Sequence, residues 1–123
     1  MTEEGFKEQE MYKTVRDRIR VRFPAYEGWE IYEQDDWGAI KPDFVVERRN
    51  EGIIERAIIE VKSTCSSRQT HIDQINKYAR HLAGNNCRIV EKILVYPGSS
   101  NTQLVEDYYR DITLMKLRNF YCD

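Results

Sequence analysis

The chain is poor in the residues that mark disulfide-stapled, metal-stapled or fibrous proteins. It holds three cysteines, three prolines, six glycines and two histidines in 123 residues. Cys65, Cys87 and Cys122 form no Cys-x-x-Cys pair, and an odd number cannot close a complete intramolecular disulfide framework, so a reducing compartment is expected. His71 and His81 beside such scattered thiols do not suit a structural zinc site. No apolar run approaches the ~18 residues that span a bilayer, and the acidic first residues lack the basic-then-apolar layout of a signal peptide. A soluble, cytoplasmic protein with no membrane partner is the expectation. Charge of one sign is also lacking: 19 Lys and Arg against 21 Asp and Glu leave a net charge of -2. That balance weakens any reading that rests on global attraction to nucleic acid, and leaves a local basic surface as the route to such contact. With no internal repeat, low-complexity tract or long linker, residues 1–123 read as a single domain.

What the chain does have is a core. Leu, Ile, Val and Phe make up 29 of the 123 residues, about 24%, above the roughly 20% associated with disorder. In the segment Thr2–Phe23, Met11, Tyr12, Val15, Ile19 and Phe23 recur at three- and four-residue steps, which predicts a helix ended by Pro24. Glu3, Glu4, Glu8 and Glu10 fill its first half and Lys13, Arg16, Arg18, Arg20 and Arg22 its second. That order complements the helix dipole, so most of these charges read as a solvated face rather than a nucleic-acid contact. Glu8 differs, because its helical phase places it in the middle of the apolar face. Either it is exposed at a frayed first turn, or it projects over the end of a sheet toward a metal or basic site.

Trp29–Gln34 reads as a strand, followed by the polar turn Asp35-Asp36-Trp37-Gly38; Lys41–Arg49 and Ile53–Lys62 read as two more strands around Asn50-Glu51-Gly52. Charge selects their register. A two-residue turn at Glu51-Gly52 sets Glu47 opposite Arg56 and Arg48 opposite Glu55, whereas a one-residue slip sets Glu47 opposite Glu55. Cross-strand pairs are worth about 0.2–1 kcal/mol, and like charges are unfavourable. The favoured register puts Phe44 opposite Ile59, Val45 opposite Ile58, and Asp43 opposite Glu60. Lys62 shares the face of Glu60 by strand alternation, and Lys41 falls opposite Lys62.

Gln69–Leu82 reads as a second helix through the stripe Ile72, Ile75, Ala79 and Leu82, with Tyr78 at its edge and Gly84 as the stop. Lys92–Tyr96 reads as a buried strand and Asn101–Arg110 as a third helix. Ile112–Leu117 is either a final strand or an extension of that helical region.

Two carboxylates at adjacent strand ends repel unless a proton or a cation compensates. Magnesium suits them, since it takes hard oxygen ligands and keeps open positions for water and phosphate; manganese is the alternative ion. A lysine beside that phosphate stabilises developing charge or activates water. The competing reading of Asp43, Glu60 and Lys62 is an ordinary ion-pair cluster at a sheet edge, natural in a chain that is 33% charged.

Pro42-Asp43 and Glu60-Val61-Lys62, preceded by Ala57-Ile58-Ile59, resemble the bipartite motif of the PD-(D/E)XK nuclease superfamily. Gln74-Ile75-Asn76-Lys77-Tyr78 resembles the Gln-x-x-x-Tyr element of its RecB-like members, and the resemblance spans roughly Glu4 to Tyr96. It implies an α/β, restriction-endonuclease-like core of αβββαβ order, a central mixed sheet flanked by helices. It implies that Asp43 and Glu60 bind the metal with the Val61 carbonyl, that Lys62 is catalytic, and that Gln74 and Tyr78 border the substrate. An acidic residue from the first helix joins such sites; Glu8 is the match, with Glu4 and Glu10 as alternatives. The implied activity is magnesium-dependent hydrolysis of phosphodiester bonds, in DNA rather than RNA, with Arg68, Lys77 and Arg80 as secondary phosphate contacts or plain solvated charges. Archaeal-type Holliday junction resolvases are similar in organisation, but they need a dimer and a basic surface that a net charge of -2 does not favour. The competing function is a noncatalytic nucleic-acid-binding or assembly subunit with the same fold, and a homodimer or a protein partner could supply affinity in either case.

Overall fold

The computed structural model describes residues 2–122, with side chains from residue 8 onward. The elements run α1 (Thr2–Arg22), a 3-10 turn (Ala25–Glu27), β1 (Glu30–Glu33), β2 (Phe44–Asn50), β3 (Ile53–Val61), α2 (Gln69–Leu82), β4 (Cys87–Pro97), α3 (Gln103–Tyr108) and β5 (Ile112–Leu117). The five strands form one open mixed sheet in the order β1-β2-β3-β4-β5. β1, β2 and β3 are antiparallel neighbours, while β4 and β5 continue the sheet in parallel with β3. The protein is thus an α/β fold with helices on both faces. Among the described residues, no helix is long and apolar enough to cross a membrane.

Alternation along the strands explains the two layers. Phe44, Val46, Ala57, Ile59, Val61, Ile93 and Val95 face α1 and meet its stripe of Met11, Tyr12, Val15, Ile19 and Phe23. Val45, Ile58, Leu94 and Tyr96 face the other way and meet Ile72, Ile75 and Leu82 of α2 and Val105 of α3. Buried apolar side chains of this size stabilise by roughly 1.5–3 kcal/mol each, so these two clusters hold the helices to the sheet.

The β2–β3 register is the one charge selects: Glu47 pairs with Arg56 and Arg48 with Glu55. Arg56 Nε lies 2.7 Å from Glu47 Oε1, and Arg48 Nε lies 2.8 Å from Glu55 Oε1. Both turn residues are left-handed, Glu51 at φ 53° and Gly52 at φ 82°, the geometry that suits a two-residue hairpin.

Three elements differ from expectation by more than one residue at an end. β2 starts at Phe44 instead of Lys41, because Pro42 has no N–H to continue the ladder, and Lys41 therefore lies in an exposed loop and not opposite Lys62. β4 starts at Cys87, five residues before Lys92. Its first half is polar and partly exposed, with a register shift opposite Arg56/Ala57, so it shows little apolar patterning. α3 is shorter than Asn101–Arg110, since Asn101 makes a β-bridge with Ser66. Ile112–Leu117 is a strand.

Candidate active site

At the end of the β2–β3 hairpin the ladder gives way to side chains. Asp43 precedes the first residue of β2, and its carboxylate takes over as acceptor: Val61 N–H donates to Asp43 Oδ2 at 2.7 Å. Reciprocally, Asp43 N–H donates to Glu60 Oε2 at 2.7 Å. The two carboxylates are thus locked side by side, each by a backbone N–H of the facing chain segment, Asp43 for Glu60 and Val61 for Asp43. Tyr12 of α1 reaches the same place, donating its hydroxyl to Asp43 Oδ1 at 2.5 Å, and Gln34 Nε2 donates to Tyr12 Oη at 3.0 Å.

Lys62 follows β3, with its N–H on the Val95 carbonyl of β4 at 2.8 Å. Its Nζ donates to Gln74 Oε1 of α2 at 2.6 Å, and Gln74 Nε2 donates in turn to Tyr78 Oη at 3.1 Å. Gln74 and Tyr78 are one helical turn apart, so α2 presents both on one edge. Among the described residues Lys62 forms no ion pair. The carboxylates are held by backbone N–H groups and, at Asp43, the Tyr12 hydroxyl, and the ammonium by a neutral amide.

Electrostatics follow from this arrangement. Glu60 is 3% exposed, and burial, then the charge of Asp43, pushes its carboxyl up to about 8; the charges of Glu8 and Asp43 act together against Lys62 and the Asp43 N–H. Burial also raises Asp43, opposed by the hydrogen bonds from Tyr12 and Val61 and by the charge of Lys62. Tyr78 is raised by burial and then by the charges of Glu60 and Asp43. His71, whose Nδ1 lies 2.7 Å from Tyr96 Oη, is pushed down to about 4 by burial and then by the charges of Lys62 and Arg68.

Of the first-helix acids, Glu8 is half-buried, and its charge is felt at Glu60 and Tyr12, which puts it within electrostatic reach of the carboxylate pair. Glu10 is exposed, and the Glu4 side chain lies outside the described residues. Arg68, Lys77 and Arg80 are exposed, as is Lys41, and none has an ion-pair partner among the described residues.

The donor set suits a hard divalent cation held by few protein ligands. Among the described residues no group of three or more His, Cys, Asp or Glu side chains is arranged to hold a metal. Magnesium characteristically binds one or two carboxylates and keeps its remaining positions for water and phosphate. Asp43 and Glu60 retain free lone pairs after their backbone hydrogen bonds, and each raises the need for positive charge at the other.

Tyr12 and Gln34 were not marked by the sequence pattern as part of this cluster. Tyr12 sits on the apolar stripe of α1 and reads as core; the only hint was a hydroxyl that, once buried, has to find a partner. No protein-family model, curated protein or solved structure matches this chain.

Proposed function

We propose that the chain is a divalent-metal-dependent phosphodiesterase acting on DNA, with a PD-(D/E)XK-type, restriction-endonuclease-like core. One observation carries the reading: a buried Glu60 beside a half-buried Asp43, with no ion-pair partner for either among the described residues, next to a lysine whose ammonium is held by Gln74. Asp43 and Glu60, with the Val61 carbonyl, would hold magnesium or manganese. Bound there, the ion would supply Lewis-acid polarisation of a phosphoryl oxygen and a more acidic water.

The chain's own groups account for the rest. Hydrolysis builds negative charge on the phosphoryl oxygens as water attacks, and the Lys62 ammonium stabilises that charge. Gln74 takes one of the three ammonium protons, which orients Lys62 and leaves two donors for phosphate or water. Tyr78 continues the same edge, while Glu8 adds negative field from α1. Arg68, Lys77, Arg80 and Lys41 are exposed, and they would supply contacts to phosphates flanking the scissile one. Because these cations are few, a second copy or a protein partner would add to DNA affinity.

A cleavage panel with duplex, branched and single-stranded DNA and with RNA, in magnesium or manganese, tests the reading. Metal-dependent cleavage of DNA lost in Lys62→Met supports it. Nucleic-acid binding without cleavage by the unmodified chain moves the conclusion to a noncatalytic binding or assembly subunit.

A further inference from the structure

Tyr12 does more than fill the core. Its ring packs edge-on against Phe44, with centroids 5.6 Å apart at 67°, and the residue is 7% exposed. A phenylalanine would make that contact equally well. The hydroxyl is what ties it to the carboxylates: it donates to Asp43 Oδ1 at 2.5 Å while accepting from Gln34 Nε2 at 3.0 Å. With Gln34 occupying its acceptor side, the hydroxyl proton has one direction left, toward Asp43.

Gln34 closes the arrangement into a ring. Its backbone N–H donates to the Asp43 carbonyl at 2.9 Å, and its side chain donates to Tyr12. To do both it adopts a left-handed backbone, φ 52°. That conformation is uncommon for a residue with a long side chain, and such outliers persist where the surrounding contacts fix them.

The plane of a carboxylate turns about a soft terminal torsion, so a lone aspartate samples a broad range of orientations. Asp43 does not, because Tyr12 holds one oxygen and the Val61 N–H holds the other. We propose that Tyr12 is a positioning residue that fixes the Asp43 carboxylate plane for cation binding, with Gln34 acting behind it. The proposal rests on Asp43 being a metal ligand. Its consequence is that Tyr12 governs metal affinity rather than the chemical step, since its hydroxyl is committed to Asp43 and Gln34.

The experiment compares the unmodified full chain, Tyr12→Phe, Gln34→Asn and the double variant. Asparagine tolerates the left-handed backbone at position 34 but shortens the side chain by one methylene. Magnesium binding is read by calorimetry and folding by circular dichroism. Loss of a hydrogen bond that orients a metal ligand typically costs 10–100-fold in affinity. Tyr12→Phe is expected to weaken magnesium binding about tenfold. It should also raise the magnesium concentration for half-maximal cleavage by the same factor, with the rate at saturating magnesium within about twofold of the unmodified chain. Gln34→Asn should shift affinity less in the same direction, and the double variant should bind as Tyr12→Phe does, because Gln34 acts only through Tyr12. Folded Tyr12→Phe with unchanged magnesium affinity, or additive effects in the double variant, overturns the positioning role while leaving the metal site intact. An unmodified chain that binds no magnesium overturns both, beginning with the metal site itself.

Discussion

With no cation bound at the Asp43–Glu60 pair, the protein should become less stable as pH rises through neutrality, the reverse of common acid denaturation. Glu60 ionises near its ordinary value in the unfolded chain but is pushed up to about 8 when folded. Between those values the folded state binds a proton that the unfolded state has released. This stabilising contribution is fully present below about pH 4.5 and is lost as pH rises through about 8. His71 works the other way, since a ring pushed down to about 4 contributes stability that is present above about 6.5 and lost as pH falls. The two contributions oppose each other below pH 6.5, which leaves about pH 6.5–8 as the window in which the carboxylate pair decides. A one-proton difference changes stability by about 1.4 kcal/mol per pH unit, so about 2 kcal/mol disappears across that window. For a domain of this size that is a fall in Tm of roughly 8 °C. Thermal melts in chelator should show the decline. Magnesium should abolish it, raising Tm strongly at pH 8 and hardly at pH 5.5, because the ion favours the ionised pair. Glu60→Gln keeps an oxygen for the Asp43 N–H and should show neither the decline nor the magnesium response. A flat Tm from pH 6.5 to 8 in chelator, or a magnesium response that survives in Glu60→Gln, would refute the reasoning.

Lys62→Met should leave magnesium affinity largely intact while single-turnover cleavage falls by an order of magnitude or more, at least about 1.4 kcal/mol of transition-state stabilisation; full activity in a folded variant would remove Lys62 from the chemistry. Arg68→Ala, Lys77→Ala and Arg80→Ala should each weaken DNA binding across sequences and reduce the slope of log affinity against log salt by about 1, measured by fluorescence anisotropy at several salt concentrations. Glu55 is 4% exposed and shared by Arg48 and Arg88, so Glu55→Leu should lower unfolding free energy by about 2 kcal/mol in urea titrations, leaving the carboxylate pair untouched.

The hairpin was legible because its information is local. Glu47, Arg48, Glu55 and Arg56 specify one register through charge alone, and that register brings Asp43 to Glu60 without any knowledge of the helices. Helix α2 was legible because Ile72, Ile75 and Leu82 keep one phase across fourteen residues. β4 was half hidden, since Arg88, Glu91 and Lys92 interrupt a strand whose first residues lie partly in solvent. The Lys62–Gln74 and Tyr12–Asp43 contacts depend on how far each helix stands from the sheet, and a periodic pattern carries no such distance. Tyr12 is core as its place on the apolar stripe indicates, and only tertiary packing reveals where its hydroxyl goes.

The hairpin also bears on the order of folding. Asp43 and Glu60 are joined across 17 residues of chain and Lys62 and Gln74 across 12, whereas Tyr12 meets Asp43 across 31. Closing the longest of these loops costs about 0.5 kcal/mol more than closing the hairpin contact, before any helix has packed. The shorter loops predict that the hairpin and α2 bring the carboxylates and the lysine together first and that the hydroxyl of Tyr12 arrives with the docking of α1, an order that φ-values would check. A chain in which α1 has come away keeps its two acids adjacent but no longer holds one of them in a fixed plane, so undocking of this one helix loosens the site before the sheet is lost.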